Sequence, residues 1–361
     1  MKHFLVFNYG SSTLKYAYFE DLKELYRSVL KVSKEEDVQG AVKKILNTVE
    51  KEKVDVIVHR VVHGKDLDSP LLIDRKGLQI LKELVTFDPI HNAFAIIGVE
   101  ACLKDLADVP QYAVFDTSFF KHLPFTSKAY ALPMRLYKEG IRRYGFHGIS
   151  YSYLLKETAK LMGKSADELS VIMLHLGSGA SACAVHKGKP VDTSMGMTPL
   201  EGLVMLTRAG DLDPGVVLEL LKKGNTLQDL EHFLYRECGI KGLTHTEDMR
   251  QLIQNAKEGN RIAKQALDLY VHRIKKYIGA YYVLLEELDA LVFSGGVGEN
   301  SPEVRSLVCN GLEKLGIIIE EEMNIKNEPY INSKKSKVKV LVIKTDEELE
   351  MVRQVKQALK V

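Results

Sequence analysis

Three glycine-rich stretches each follow a short apolar run: Asn8–Thr13, Leu176–Ala180 and Ser294–Asn300. Small residues at such turns let backbone N–H groups converge on an anion, because no Cβ blocks close approach. Neighbouring hydroxyls or a following helix N-terminus add donors. One stretch of this kind is an ordinary tight turn. Three in one chain, with Lys15 and Ser/Thr hydroxyls beside the first, point to a nucleotide phosphate. None fits GxxxxGK followed by Ser or Thr, and none opens a unit with GxGxxG. The third precedes a predicted helix at Ser301–Leu315, whose N-terminus could meet a nucleotide. Arginine and histidine gather in three other places: His59-Arg60-Val-Val-His63-Gly64, Arg142-Arg143-Tyr-Gly-Phe-His147-Gly148 and Thr207-Arg208-Ala-Gly-Asp211-Leu-Asp213-Pro214. Arginine at the C-terminal end of a strand suits bidentate contact with phosphate or carboxylate. Imidazole can donate to developing negative charge. His59 and His63 are read as structural histidines. Arg142 and Arg143 serve equally well as salt-bridge partners or ligand groups. Among the acids, Asp116 in Phe115-Asp-Thr-Ser-Phe119 stands at a strand end and is the better functional candidate. Asp346-Glu347-Glu348 opens a helix, where the dipole alone favours acids.

These residues need elements to hold them, and the chain alternates short β-rich runs with longer helical ones. Strands are expected at Lys2–Phe7, Leu14–Phe19, Val54–Val58, Tyr112–Phe115, Ser170–Leu174, Ala290–Phe293 and Val338–Ile343. Helices are expected at Lys76–Val85, Ala93–Leu106, Ser150–Met162 and Asp346–Leu359, with 215–288 mostly helical and a long amphipathic stretch over Arg261–Leu288. Its tyrosines, Tyr270, Tyr277, Tyr281 and Tyr282, suit either a dimer interface or a core. The alternation indicates an α/β protein. Strand, Gly-Ser turn, strand occurs twice, at Gly10–Ala17 and Gly177–Ala184, which suggests two related lobes. His186–Lys189 reads as a further tight turn.

The 361 residues imply two or three domains. With 45% hydrophobic and 27% charged residues, they can bury a core without staples. Lys plus Arg is 50 against 48 for Asp plus Glu, so bulk charge excludes a strongly basic nucleic-acid binder. No apolar run is long enough to cross a membrane, and the N-terminus reads as a strand, not a signal peptide. Cys102, Cys183, Cys238 and Cys309 form no CxxC pair and fit thiols of a reducing compartment, with no zinc site.

Taken in order, the segments resemble the acetate kinase family, the acetate and propionate kinases of the sugar-kinase, heat-shock-chaperone and actin superfamily. The resemblance covers nearly the whole chain. It rests on Asn8-Tyr-Gly-Ser-Ser-Thr-Leu-Lys15, His59–Gly64, Phe115–Phe119, Tyr144–Gly148, His175–Ser181, Asp192–Gly202, Thr207–Pro214, Asp248-Met249-Arg250, Ser294–Asn300 and Asp346–Leu349. It implies phosphoryl transfer between ATP and acetate, or a similar short-chain carboxylate. The implied fold is α/β: two duplicated actin-like (ribonuclease-H-like) lobes with a nucleotide and substrate cleft between them. Residues 1–117 with 348–361 would form the first lobe and 118–347 the nucleotide-binding lobe. A cytoplasmic homodimer that needs Mg²⁺, or Mn²⁺ in its place, is expected, with no nucleic-acid or membrane partner.

The implied roles carry over by position. Arg60 and Arg208 fall where the family binds the carboxylate and the transferred group, His147 where it stabilises the transition state, and Asp116 at its catalytic acid. Asn8 and Glu347 match magnesium-associated positions, and Lys15 a phosphate contact. Nucleotide-binding segments match His175, Leu176, Gly177, Ser178 and Gly179; Asp248, Met249 and Arg250; and Gly296, Val297, Gly298, Glu299 and Asn300. Val62, Ile90, Phe146 and Pro199 match the apolar pocket for the methyl group.

The chain departs from the family's usual residues at several places. It is shorter, with most of the loss between Lys15 and Arg60, a region expected to lie away from the motifs. Thr13 replaces a usual Ser, Phe120 a usual His, Ile149 a Thr, Tyr151 a His, Ser178 an Asn, Met197 a Phe, Leu206 a Gly and Ala209 a Ser. Two other readings stay open: a catalytically weak regulatory relative that binds nucleotide, and an ATPase with no small-acid substrate.

Overall fold

The computed structural model describes residues 1–10, 13–32, 34–88 and 91–360, and of Glu35 the backbone alone. The described chain forms two sheets. The first contains β1 (His3–Tyr9), β2 (Thr13–Glu20), β3 (Lys23–Lys31), β4 (Val56–Val61), β5 (Leu71–Leu72) and β6 (Gln111–Phe115), in the order β3-β2-β1-β4-β6-β5. The second contains β7 (Val171–Leu176), β8 (Ala180–His186), β9 (Lys189–Thr193), β10 (Ala290–Ser294) and β11 (Lys339–Val342), in the order β9-β8-β7-β10-β11. Apart from the two-residue β5, the orders are the same. Each sheet opens with a three-strand antiparallel meander and continues with two parallel strands. The repeated Gly-Ser turns therefore mark a duplicated sheet.

β1 shows why the first sheet is covered on both faces. Side chains alternate along a strand. Phe4 and Val6 share a core with Met351, Val352 and Val355 of the helix Glu347–Leu359. Leu5, Phe7 and Tyr9 share the opposite core with Val38 and Val42 of the helix Glu35–Leu46 and with Val99 of the helix His91–Asp105. In the second sheet, every residue of β10 is buried. The long helix runs Arg261–Leu284 and buries Tyr270, Ile274, Ile278 and Tyr281. Tyr270 and Tyr281 are thus core residues, Tyr277 and Tyr282 are half-buried, and Val283 and Leu284 at its end are exposed.

The chain divides into two compact units, Met1–Lys121 with Phe146–Tyr153 and Asp346–Val361, and His122–Gly145 with Leu154–Thr345. Several elements lie outside the sequence expectations, β3 and the helix Glu35–Leu46 foremost, with β5 and the short helices Phe125–Lys128, Met134–Lys138 and Glu321–Ile325 besides. β3 is an exposed edge strand, and the helix Glu35–Leu46 follows it. Two expectations are corrected. Gly295–Asn300 is a short helix, not a turn, and the expected single helix after it is broken into Pro302–Cys309 and a 3₁₀ turn at Glu313–Leu315.

His59 is a core histidine, as its strand context suggested. Its Nδ1 accepts from Tyr9 Oη at 2.9 Å and its Nε2 donates to Gln111 Oε1 at 2.8 Å, a tautomer assigned from these partners. Burial pushes the imidazole down to about 4, against the opposing effect of the hydrogen bond it donates to Gln111. The unfolded chain therefore takes up a proton near pH 6.5 that the folded chain refuses until about pH 4. Stability falls as pH drops through that window, by about 3 kcal/mol at its lower end. Urea unfolding at pH 7.5 and pH 5 is expected to show about 2 kcal/mol of this loss, because pH 5 lies part-way through the window, and His59→Gln to show a smaller one. Equal losses in the two proteins would remove His59 as the cause.

Candidate active site

In the first unit, β1, β4 and β6 lie side by side, with β1–β4 and β4–β6 parallel, and bring three polar residues to their C-terminal ends. Ligand sites form there in open α/β sheets. Asn8 is on β1, Arg60 on β4, and Asp116 follows β6. Arg60 grips Asp116 with two bonds, Nε to Oδ1 at 3.2 Å and Nη2 to Oδ2 at 2.6 Å. Its Nη1 donates to Asn8 Oδ1 at 2.9 Å. The Asn8 amide nitrogen in turn donates to Glu347 Oε2 at 3.0 Å and Glu348 Oε1 at 2.6 Å. Of the five N–H donors of Arg60, two are not taken up by these bonds.

Asp116 is fully buried. Burial pushes its carboxyl up, and the Arg60 guanidinium pulls it back. Burial also disfavours charge on Arg60, but Asp116, Glu347 and Glu348 around it outweigh that and keep it protonated. Glu348 is raised by burial and then by repulsion from Glu347, with Lys15 and Arg27 opposing. Lys15 is the cross-strand partner of Asn8 and is exposed.

The shortened stretch is not remote from this cluster. Arg27 on β3 donates to Glu348 Oε2 at 2.9 Å and to Asp346 Oδ1 at 2.7 Å. Asp346 also caps the helix Glu347–Leu359 by accepting from Leu349 N–H. The start of that helix is therefore fastened from both Asn8 and Arg27.

His147 belongs to the same unit and precedes the helix Gly148–Met162. It adopts a left-handed backbone, φ +59°, which is uncommon for a residue other than glycine and concentrates at functional sites. Gly148 beside it lies against the Asp116 carbonyl, where a Cβ would fall only 1.9 Å from that oxygen. Gly64 is similarly pressed on Phe115, 2.4 Å from the ring to an added Cβ. The glycines of the His-Gly pairs are required by packing.

Of the apolar-pocket candidates, Val62 and Phe146 are buried in the first unit, and Pro199 is carried by the second. Ile90 lies outside the described residues. His63 faces Phe146 edge-on and also meets Phe87. Phe120 and Tyr151, two departures from the family's usual residues, pack on each other at 5.9 Å between ring centroids. They are one aromatic exchange rather than two separate changes.

In the second unit, β7 and β10 are parallel neighbours and again deliver candidates at their C-terminal ends. His175 and Leu176 close β7, and Gly177–Gly179 turns into β8, with Gly177 N–H donating to Gly179 O at 2.9 Å. The helix Gly295–Asn300 starts against that strand end. Gly295 has φ +76°, and a Cβ there would sit 2.7 Å from Leu176 O. Asp248, Met249, Arg250, Gly296, Val297 and Asn300 all line one cavity of about 720 Å³. Gly298 is buried against Leu176, and the Glu299 carboxylate accepts from Gly295 N–H and Thr345 N–H. Glu299 thus locks its own helix in place. Asp248 caps the helix Met249–Lys257 and also holds the exposed Arg250 guanidinium at 2.7 Å.

Arg208 donates through Nη1 to Pro199 O at 2.8 Å. Leu206 enters the wall of the 720 Å³ cavity, and its N–H donates to Ser178 O at 3.2 Å. Two more departures are thereby bonded to each other. Arg143 is scaffolding. It donates to Glu201 at 2.6 Å and to the carbonyls of Ser127, Thr193 and Met195. Arg142 lies over the rings of Tyr137 and Tyr144.

Among the described residues, no group of three or more His, Cys, Asp or Glu is arranged to hold a metal, and no helix is long and apolar enough to cross a membrane. The cysteines are unbridged, and Cys102, Cys183 and Cys309 are buried.

Duplicated sheets, each a three-strand meander continued by parallel strands, define an actin-like α/β protein. A sequence model of the Acetokinase family matches residues 22–353. The acetate kinase of Sulfurimonas denitrificans is 47% identical over 310 residues, 85% of this chain and 79% of that protein. A crystal structure of a propionate kinase from Francisella tularensis superposes with a TM-score of 0.91 at 35% identity, covering 98% of this chain and 99% of that one. The acetate kinase of Porphyromonas gingivalis gives 0.89 at 34%, covering 99% and 100%. The chain belongs to the acetokinase family.

Proposed function

We propose that the protein transfers the terminal phosphoryl group of ATP to the carboxylate of acetate, reversibly, giving acetyl phosphate and ADP. The observation that carries this reading, in a chain of this family, is the buried Arg60–Asp116 pair joined through Asn8 to Glu347 and Glu348. Phosphoryl transfer asks for position and charge stabilisation more than covalent chemistry. A carboxylate nucleophile is already ionised at pH 7, so no base is needed to activate it. Asp116 therefore orients Arg60 and does not abstract a proton. The remaining Arg60 donors suit a carboxylate or phosphoryl oxygen. Arg208 and His147 add donors to the transferring group, whose charge spreads over its equatorial oxygens. Val62 and Phe146 of the first unit offer an apolar surface to the methyl group. The cavity lined by Asp248–Arg250 and Gly296–Asn300 receives the nucleotide, with Lys15 and the turn His175–Gly179 serving its phosphates.

The acidic cluster suits a hard divalent cation. Two adjacent buried carboxylates repel each other, and Mg²⁺ or Mn²⁺ takes one or two carboxylates together with phosphate and water oxygens. Glu347 would hold the ion with Asn8 orienting that carboxylate. When bound, the ion neutralises phosphate charge. A second copy of the chain is the expected partner. The helix Pro214–Lys222 buries no residue and exposes Val216, Leu218 and Leu221, an apolar surface that pairing would cover.

Acyl phosphate trapped with hydroxylamine after incubation with Mg-ATP and formate, acetate, propionate, butyrate or no acid tests the reading. A signal strongest with acetate is expected. A propionate maximum would move the assignment to a propionate kinase, since one methylene is worth only about 1–3 kcal/mol in an apolar pocket. Nucleotide binding with no product would favour a regulatory relative. ATP loss without any acid would favour an ATPase.

A further inference from the structure

Arg208 sits in a loop that leaves β9 and returns to the helix Pro214–Lys222. The loop has a closed neck. Gly202 N–H donates to Asp211 Oδ1 at 3.0 Å, and Asp211 N–H donates back to Gly202 O at 3.0 Å. Gly210 has φ +75°, and a Cβ there would come within 2.4 Å of the Gly202 and Leu203 carbonyl oxygens. The neck thus has one close-packed arrangement.

The long helix Arg261–Leu284 grips that neck from outside. Tyr277 Oη donates to Asp211 Oδ1 at 2.9 Å, and Arg273 Nη1 pairs with Asp211 Oδ2 at 3.2 Å. Arg273 also reaches Asp211 O at 3.3 Å and Gly202 O at 3.4 Å. One carboxylate therefore joins both ends of the loop to a rigid helix. Within the loop, Met205 N–H donates to Arg208 O at 3.0 Å. On its far flank, Cys238, Ile240 and Lys241 N–H groups donate to Thr207, Met205 and Leu206. Gly239, φ +64°, presses there so closely that a Cβ would lie 2.3 Å from Met205 O and 2.7 Å from Arg208 O. The backbone of Arg208 is fixed on two sides, and Pro199 O then aims its guanidinium.

We propose that Asp211, held by Tyr277 and Arg273, is the positioning residue for Arg208, so that the long helix sets where this guanidinium meets the transferred group. The inference rests on the phosphoryl-transfer reading above. It predicts a particular division of effects, because the clamp acts on Arg208 and not on the cavity lined by Asp248–Arg250. Side chains held to within a fraction of an ångström by supporting bonds lose rate when that support loosens.

Tyr277→Phe removes one hydrogen bond and keeps the ring. It is expected to lower kcat five- to twenty-fold, while the Kd for ATP, measured by calorimetry without acid, stays within two-fold. Asp211→Asn should lower kcat further in the same pattern. Tyr270→Phe is the control on the same helix. Its hydroxyl is buried and makes no hydrogen bond, so kcat should not change. A Tyr277→Phe protein with unchanged kcat overturns the inference. So does a parallel weakening of kcat and ATP affinity, which marks a general loosening of the unit. A wild-type chain that forms no acyl phosphate from any acid removes the functional reading and this inference with it. A wild-type that is active beside an unaffected Tyr277→Phe removes the inference alone.

Discussion

Asp116→Asn is expected to lower kcat by about 100- to 1,000-fold, with ATP affinity nearly unchanged. The size follows from the pair it breaks. Asp116 is fully buried and meets Arg60 through two bonds of 3.2 and 2.6 Å. Asn keeps the shape but loses the charge and turns an NH₂ group toward a guanidinium that also donates. Removing one member of a buried ion pair costs about 3–5 kcal/mol, because the other charge is left uncompensated. At about 1.4 kcal/mol per decade of rate, losing most of that orientation in the transition state gives the stated range. Arg60 would be left to Asn8 and the nearby Glu347 and Glu348 carboxylates, which pull it toward the C-terminal helix. Steady-state kinetics over pH 6–9, with calorimetry for ATP, would measure this. A loss of similar size across that range fits an orienting acid. Near-normal turnover would end the role given to Asp116.

Much of the fold was legible because strand ends and turns are local. The hairpin of β1 and β2 announced itself through Asn8–Thr13, and its repeat at Leu176–Ala180 announced the second sheet. The tight turn at Lys187 and Gly188 was legible for the same reason, and both residues take positive φ. β3 was not, because an exposed edge strand such as KELYRSVLK carries charges on both faces and lacks a buried alternation. The helix Glu35–Leu46 did carry a signal: Val38, Val42, Ile45 and Leu46 lie on one face and are buried. Gly295–Asn300 misled because three glycines in six residues oppose a helix. There the gain is close approach to Leu176, which only the fold reveals.

The candidate site was legible as residue types, not as partnerships. The sequence marks Asp116 and Arg60 separately, as strand-end groups 56 residues apart. Nothing local marks Arg27. Its partner Glu348 is 321 residues away, and the contact exists only because the long Arg27 side chain reaches from β3 to the start of the C-terminal helix. Similarly, Asp211 looked like part of a polar loop, and its role emerges from a bond to Tyr277 66 positions on. Charge-assisted contacts of long sequence separation carry no periodicity, so patterning cannot find them.

Gly148→Ala is expected to cost about 3 kcal/mol of stability and most of the activity, although it places a better helix former in a helix. Propensity alone would favour Ala by up to about 1 kcal/mol. The neighbour decides the sign. A Cβ at Gly148 would lie 1.9 Å from Asp116 O and 2.8 Å from Phe119 Cβ, and a backbone oxygen cannot swing aside as a side-chain tip does. Either the helix start moves and carries His147 with it, or the Asp116 turn moves and carries the carboxylate away from Arg60. Overpacking of this kind costs about 1–3 kcal/mol or more, and here both ways of relieving it displace a proposed site residue. Gly40→Ala supplies the contrast. Gly40 lies inside the helix Glu35–Leu46, takes no positive φ, and an added Cβ meets nothing within 4 Å. That change should stabilise by about 0.5–1 kcal/mol and leave kcat alone. Urea unfolding of the two variants, with kcat on each, separates steric contact from propensity. If Gly148→Ala matches wild type in both, the packing of Gly148 on Asp116 does not position the site.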